Sequence, residues 1–116
     1  MSAARDLACR MMNMTSEDFP RLIFIHEFGE REAYEAQARG YLGHVVVELA
    51  TGQKVPVVFW DAVRLRQDLQ EETRHGNPFI AEAGMIVLDH VTPPNMETAV
   101  RKLAKAGFFE SFRTLA

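Results

Sequence analysis

The sequence predicts a single α+β domain, a two-layer sandwich in which a mainly antiparallel sheet of about four to five strands carries two or three helices on one face. Two observations predict this class. Residues 44–60 form two apolar runs of period two with a turn between them, which is typical of a β-hairpin. Segments rich in helix formers, each with a capping or stop residue, separate the remaining apolar runs.

The hairpin prediction depends on strand pattern and turn chemistry together. The apolar positions of the two strands are Val45, Val47, Leu49, Val55, Val57 and Phe59. Between them, Gly52 can adopt the positive φ that a short hairpin loop needs. Pro56 removes one donor from the ladder, so the second strand is predicted to lie at or near an edge of the sheet.

Three further strands are predicted outside the hairpin. Residues 21–28 are apolar at nearly every position, which favours a strand near the middle of the sheet. Residues 85–91 form a shorter apolar run. In the tail, residues 108–113 alternate in a way that favours an edge strand, with a short helix as the alternative.

Helices are predicted from capping residues and periodicity. Asp61 is a good N-cap for a helix ending near residue 74, with Ala62, Leu65 and Leu69 on the core side. Thr92 and Pro93 begin the last helix. Residues 30–39 have helical propensity but also alternate like a strand, and we favour a helix. Residues 3–12 are predicted to form a short helix.

Composition limits the function classes. Of the 116 residues, 47% are hydrophobic and 25% are charged, which is typical of a globular protein. The net charge is −3, so the composition lacks the excess of basic residues that is typical of a nucleic-acid-binding protein. Cys9 is the only cysteine, and no segment is apolar enough for a signal peptide or membrane span. We therefore expect one cytoplasmic domain over residues 1–116, with 1–14 as a loosely attached extension and Met11, Met12 and Met14 as alternative translation starts.

The strand pattern divides the sheet into two faces. One face is predicted to lie under the helices, and its residues are Ile23, Ile25, Val45, Val47, Leu49, Val55, Val57, Phe59, Ile86 and Leu88. The opposite face, called here the second sheet face, is predicted to carry Phe24, His26, Phe28, His44, Val46, Glu48, Val58, Trp60, Met85, Val87 and Asp89. That face is too apolar to be simply solvated. The N-terminal segment, a second subunit or a ligand could cover it, and a second subunit is favoured.

An enzymatic interpretation uses the same face. Two histidines and two carboxylates, His26, His44, Glu48 and Asp89, would form a zinc or iron site if the strands brought them together, and such a site would activate water for hydrolysis. However, the sequence contains no zinc-protease motif, no paired cysteines, no phosphate-binding glycine loop and no nucleophile elbow. We therefore expect no catalytic residue, no metal and no cofactor.

A recognition surface is the alternative. Trp60 lies at a strand end beside Asp61 and Arg64, and tryptophan and arginine are enriched in interface hot spots, although a tryptophan at such a position is more often part of the core edge. Phe79 lies in the 75–84 loop, which could tuck onto the body or cover a small molecule. Carboxylates gathered near the end of the 61–74 helix oppose its dipole. A solvated helix face is the favoured explanation, and a surface that meets a basic partner is the alternative.

In size and style the chain resembles small bacterial interaction modules, including toxin-neutralising immunity proteins and regulators, although no motif supports that resemblance. We predict a non-enzymatic interaction module that forms a homodimer through the second sheet face, with neither nucleic acid nor membrane as its partner. The alternatives are a metal-dependent hydrolase and a small-molecule binder.

Overall fold

The computed structural model describes residues 19–112. In chain order its elements are β1 (Arg21–Phe24), α1 (Glu30–Arg39), β2 (Tyr41–Glu48), β3 (Lys54–Asp61), α2 (Ala62–Arg74), β4 (Met85–Leu88), α3 (Pro93–Lys105) and a 3₁₀ turn (Phe108–Ser111). The strands form one sheet in the order β1-β2-β3-β4. Its first two pairings are antiparallel and β3 runs parallel to β4, so the predicted α+β class with a mainly antiparallel sheet is confirmed.

The hairpin forms as predicted. Gly52 has φ +90° in the turn, and its N–H donates to the Leu49 carbonyl at 2.9 Å. Val47 faces Val55 across the ladder, and Val45 faces Val57. The pairing of β2 with β3 is irregular between Leu42, which pairs with Phe59, and Val45, which pairs with Val57. Two residues of β2, Gly43 and His44, lie in this interval, whereas β3 has only Val58 there. This one-residue bulge contains His44, a residue with φ +58°.

The hydrophobic core lies between one sheet face and the two helices α1 and α3. Ala36 of α1, Met96 and Val100 of α3 and Phe109 of the 3₁₀ turn pack on the central strands with at most 1% of their surface exposed. The strand residues of this core are Val45, Val47, Val55, Val57, Phe59, Ile86 and Leu88, all on the face that the sequence predicted.

Helix boundaries follow the predicted signals. Residues 30–39 are helical, and the N–H of Gly40 closes this helix by donating to the Ala36 carbonyl at 2.9 Å. Asp61 caps α2 by accepting from the Arg64 N–H at 2.7 Å. Thr92 caps α3, with Pro93 as its first residue. None of the helices in residues 19–112 has the length and apolar character needed to cross a bilayer.

β1 differs from the prediction in position, length and facing, because it is an edge strand and not a strand near the middle of the sheet. It ends at Phe24 rather than continuing to residue 28. Register places Leu22 opposite Val47 and Phe24 opposite Val45, so these two residues face the core, while Ile25 is 59% exposed. Both faces of this segment are apolar, and the pattern therefore contained no information about which face turns inward.

Pro56 does not mark an edge strand, because β3 lies between β2 and β4. The N–H of Val58 donates to the Gly84 carbonyl at 3.0 Å, which fixes the side of β3 that faces β4. Two residues earlier, the nitrogen of Pro56 points to that same side, and β4 pairs only with residues from Val58 onwards. The missing donor therefore costs no ladder hydrogen bond.

Two smaller predictions also change. β4 ends at Leu88 instead of residue 91, although Val91 is fully buried beyond it. The tail forms a 3₁₀ turn at Phe108–Ser111, so the edge strand was wrong and the short-helix alternative is correct. The predicted helix at 3–12, the extension at 1–14 and Cys9 lie outside the described residues.

α2 is the least embedded helix of the described chain. It contains no buried residue, whereas α3, of the same 13-residue length, buries Met96 and Val100. The predicted core stripe is wrong, since Ala62 is exposed and Leu69 is 37% exposed. Polar side chains attach α2 to the sheet instead.

Candidate functional site

Three of the predicted recognition residues converge on one cavity. Trp60, Arg64 and Phe79 line a groove of about 520 Å³ between α2 and residues 79–82, called here the α2 groove. Asp61 lies outside the lining and acts as the N-cap of α2. The full lining consists of Tyr41, Trp60, Arg64, Asp68, Glu71, Glu72, Phe79, Ile80, Ala81 and Glu82.

A polar network joins α2 to the end of β3. The indole Nε1–H of Trp60 donates to Asp68 Oδ2 at 2.9 Å, and Arg64 Nε donates to Asp68 Oδ1 at 2.9 Å. Arg64 also donates to the Arg39 carbonyl at 3.2 Å, and its guanidinium carbon lies 5.5 Å from the centroid of the Tyr41 ring. Tyr41 meets Trp60 edge to face at 5.2 Å. These contacts orient the first two turns of α2 and form the floor of the groove.

Trp60 is therefore not an exposed recognition residue. Only 4% of its surface is exposed, and Asp68 satisfies its single donor. The interpretation of Trp60 as an interface hot spot does not agree with this burial. Phe79 is the exposed aromatic residue of the groove, with 63% of its surface accessible.

The wall opposite α2 is positioned by backbone contacts at both ends of the 75–84 loop. At the start, the N–H of Asn77 donates to the Glu72 carbonyl at 2.9 Å. At the end, Gly84 has φ +76°, and a Cβ there would lie 2.2 Å from the Pro56 carbonyl oxygen, so only glycine permits this close approach. Ile80 is partly buried, while Phe79 is exposed.

The four residues of the proposed hydrolase site do not come together. His26 and His44 contact each other edge to face at 5.1 Å between ring centroids, beside a second cavity of about 500 Å³ next to α1. Glu48 forms an ion pair with Arg21 at the other end of β2. The side chain of Asp89 is 91% exposed beyond β4. Within residues 19–112, no three histidine, cysteine or acidic side chains are grouped so as to hold a metal ion.

The second sheet face retains most of its predicted residues. Cross-strand register aligns Ile23 with Val46 and Pro56, and pairs Val58 with Met85 and Trp60 with Val87. Phe24 and Phe28 were assigned to this face wrongly, since both pack against the core. Two residues associated with this side of the sheet are strongly exposed, Ile25 at 59% and Val87 at 49%.

Sequence reasoning missed Asp68, Tyr41 and Glu82 as parts of the groove. Arg64 and Asp68 are four residues apart, so the pattern showed a helical ion pair, but not that Trp60 would join it. Glu82 carried no signal, because only the loop path brings it opposite α2. No protein-family model, curated protein or solved structure matches this chain, so the function must be argued from this geometry.

Proposed function

We propose that this protein is a non-enzymatic protein-interaction module that binds its partner through the second sheet face. The observation that carries the proposal is the asymmetry of the sheet. On one face α1, α3 and the 3₁₀ turn contribute core residues. On the other face Val58 and Trp60 are buried, but Ile25 and Val87 are strongly exposed and Ile23, Val46 and Met85 are partly exposed. Exposed apolar surface spanning several strands is typical of a contact surface. Glu48 and Asp89 lie away from the contacting pair His26 and His44, which supports binding rather than metal-dependent hydrolysis.

The proposed partner is a second copy of the chain. Strands of four, eight, eight and four residues, with a rise of about 3.3 Å per residue and a spacing of about 4.8 Å, give a face of roughly 400 Å². This is less than the roughly 800 Å² per partner of a stable interface. A dimer through this face is therefore expected to be weak and concentration-dependent. The same proposal includes a cytoplasmic location, which is supported by the single cysteine. It also includes an immunity-type or regulator-type role, which is supported by the small size of the chain and its α+β class.

Self-association is tested by sedimentation velocity from low to high micromolar protein concentration. We expect the sedimentation coefficient of the parent chain to rise with concentration. Ile25→Glu and Val87→Glu should each weaken association at least about tenfold, because each would place a charge in an apolar contact.

Tyr34→Glu is the matched control, since Tyr34 is an apolar side chain that is 74% exposed on α1. This variant should associate like the parent. A parent chain that stays monomeric throughout, or a Tyr34→Glu variant that dissociates as readily as Ile25→Glu, would contradict the proposed dimer.

A further inference from the structure

The α2 groove combines negative charge, aromatic surface and a poorly packed helix. We propose that it binds a lysine- or arginine-bearing segment of a partner protein. This inference deepens the proposed function, on which it rests for the class of partner, and it assigns binding to a different surface from the one used for self-association.

The charge of the groove is the first step. Its lining contains one cation, Arg64, and four carboxylates, so its formal charge of −3 equals that of the whole chain. Asp68 is paired with Arg64, and Glu71 with Arg74 and His75. The side-chain carboxylate of Glu72 accepts a hydrogen bond from the Asn77 side-chain amide at 3.2 Å. In the described part of the chain, no cation forms an ion pair with Glu72 or Glu82. These two carboxylates are therefore available to a partner's cation.

Aromatic surface is the second step. A lysine or arginine side chain has an apolar stem and a charged end, and it is bound best where an aromatic face lies beside a carboxylate. Phe79 supplies such a face next to Glu82. Arg64 already shows this mode of binding inside the protein, because it lies over Tyr41 while Asp68 accepts its hydrogen bond.

The packing of α2 is the third step. α2 buries no residue in the core, and the residues that it contributes to the groove, Arg64, Asp68, Glu71 and Glu72, are all polar. A segment bound in the groove would add contacts to a helix that the core supports weakly. The groove volume of about 520 Å³ lies within the range of ligand pockets, which is roughly 300–1,000 Å³, and accommodates a few side chains. An anionic ligand would meet an excess of carboxylates and is disfavoured.

The test uses Trp60, the only tryptophan of the chain, as a reporter in the floor of the groove. Its emission is followed while the full chain is titrated with a short peptide alternating lysine and leucine, and separately with the matching glutamate–leucine peptide. We expect saturable binding of the lysine peptide only, weakening with added salt. Glu72→Gln combined with Glu82→Gln should weaken that binding at least about tenfold, since glutamine keeps the shape but removes both charges.

Glu30→Gln combined with Glu97→Gln is the matched control, because it removes the same charge at two exposed sites on other helices. This control should bind the lysine peptide within about twofold of the parent, since distant exposed charges are largely screened. Equal weakening in both double variants would overturn the inference by showing a general attraction to an acidic protein. Absence of lysine-peptide binding up to millimolar concentration would also overturn it.

Two further outcomes separate this inference from the proposed function. Lysine-peptide binding that persists in the Ile25→Glu variant would support an independent groove, even if self-association is never observed. A Trp60 signal that changes when the protein alone is diluted, with no response to peptide, would assign the groove to a second copy and overturn the proposal.

Discussion

Trp60 connects the sheet to α2 and is almost completely covered. Its ring contacts Tyr41, and its N–H has one partner, Asp68, on the helix that follows its own strand. A tryptophan in this position contributes to folding by the area that it buries and by keeping one donor satisfied. At the residue scale, its main role is therefore structural, while Phe79 and the carboxylates present the accessible surface.

We expect Trp60→Ala to lower the free energy of unfolding by about 3–5 kcal/mol, because it deletes a large buried ring and leaves a cavity. Urea denaturation followed by circular dichroism measures the change without depending on tryptophan emission. Phe79→Ala, at a residue that is 63% exposed, should change the same quantity by about 0.5 kcal/mol or less. Equal stability of Trp60→Ala and the parent would show that this ring is dispensable.

The structural roles of several residues were predictable from their neighbours in the sequence. Asp61 and Thr92 act as N-caps and Gly52 takes a positive φ, because these roles depend on neighbours within a few positions. The burial of Trp60 was not predictable in this way. It depends on Asp68, whose approach to the indole is set by the direction in which α2 leaves the strand.

At the scale of elements, α2 and α3 show how two helices of equal length can have different support. α3 buries Met96 and Val100, whereas α2 is attached by its N-cap and by the Arg64 and Asp68 contacts near its start. Regions with few buried apolar contacts open locally at lower free energy. The second half of α2, which carries Glu71 and Glu72, is therefore the half that a bound segment would stabilise most.

We expect the backbone amides of α2, from its second turn onward, to exchange with solvent faster than those of α3. Native-state hydrogen exchange measures this difference, and α3 serves as the internal control because it has the same length. If α2 were protected as strongly as α3, its lack of buried residues would not control its local stability.

Whether a segment forms a helix or a strand was more predictable from the sequence than which of its sides packs against the core. Caps and propensity identified α1, α2 and α3, and alternation identified the hairpin. In β1, however, Leu22, Ile23, Phe24 and Ile25 are all apolar, so only the pairing of Phe24 with Val45 decides which side faces the core. The stripe of Ala62, Leu65 and Leu69 failed for a related reason, because α2 meets the sheet through Arg64 and Asp68.

At the scale of the whole molecule, the described residues form one layer of core helices on a four-stranded sheet, and both candidate binding surfaces lie away from that core. The second sheet face ends at Trp60 and Val87, next to the α2 groove. The sequence predicted the existence of the face, since alternation reports it directly. It could not predict the groove, which depends on how α2 and the 75–84 loop enclose the end of β3.

Native mass spectrometry of protein purified without chelators distinguishes the module from the hydrolase at this scale. We expect the masses of bare monomer and bare dimer, with the dimer fraction increasing with protein concentration. A monomer carrying one metal ion per chain would contradict the proposed function, and His26→Ala and His44→Ala would then show whether these side chains hold the metal.

The bulge at Gly43 and His44 has a consequence for how related sequences should be compared. The extra residue in β2 lets Leu42 and Val45 both pack with the core, although they are three positions apart, and it turns Tyr41 toward Trp60. Deletion of one residue here would move each earlier side chain of β2, including Tyr41 and Leu42, to the opposite face of the sheet. Among relatives, the number of residues between Tyr41 and Val45 should therefore vary less than the amino-acid types at those positions. A relative with an alignment gap at this point should have a differently shaped groove.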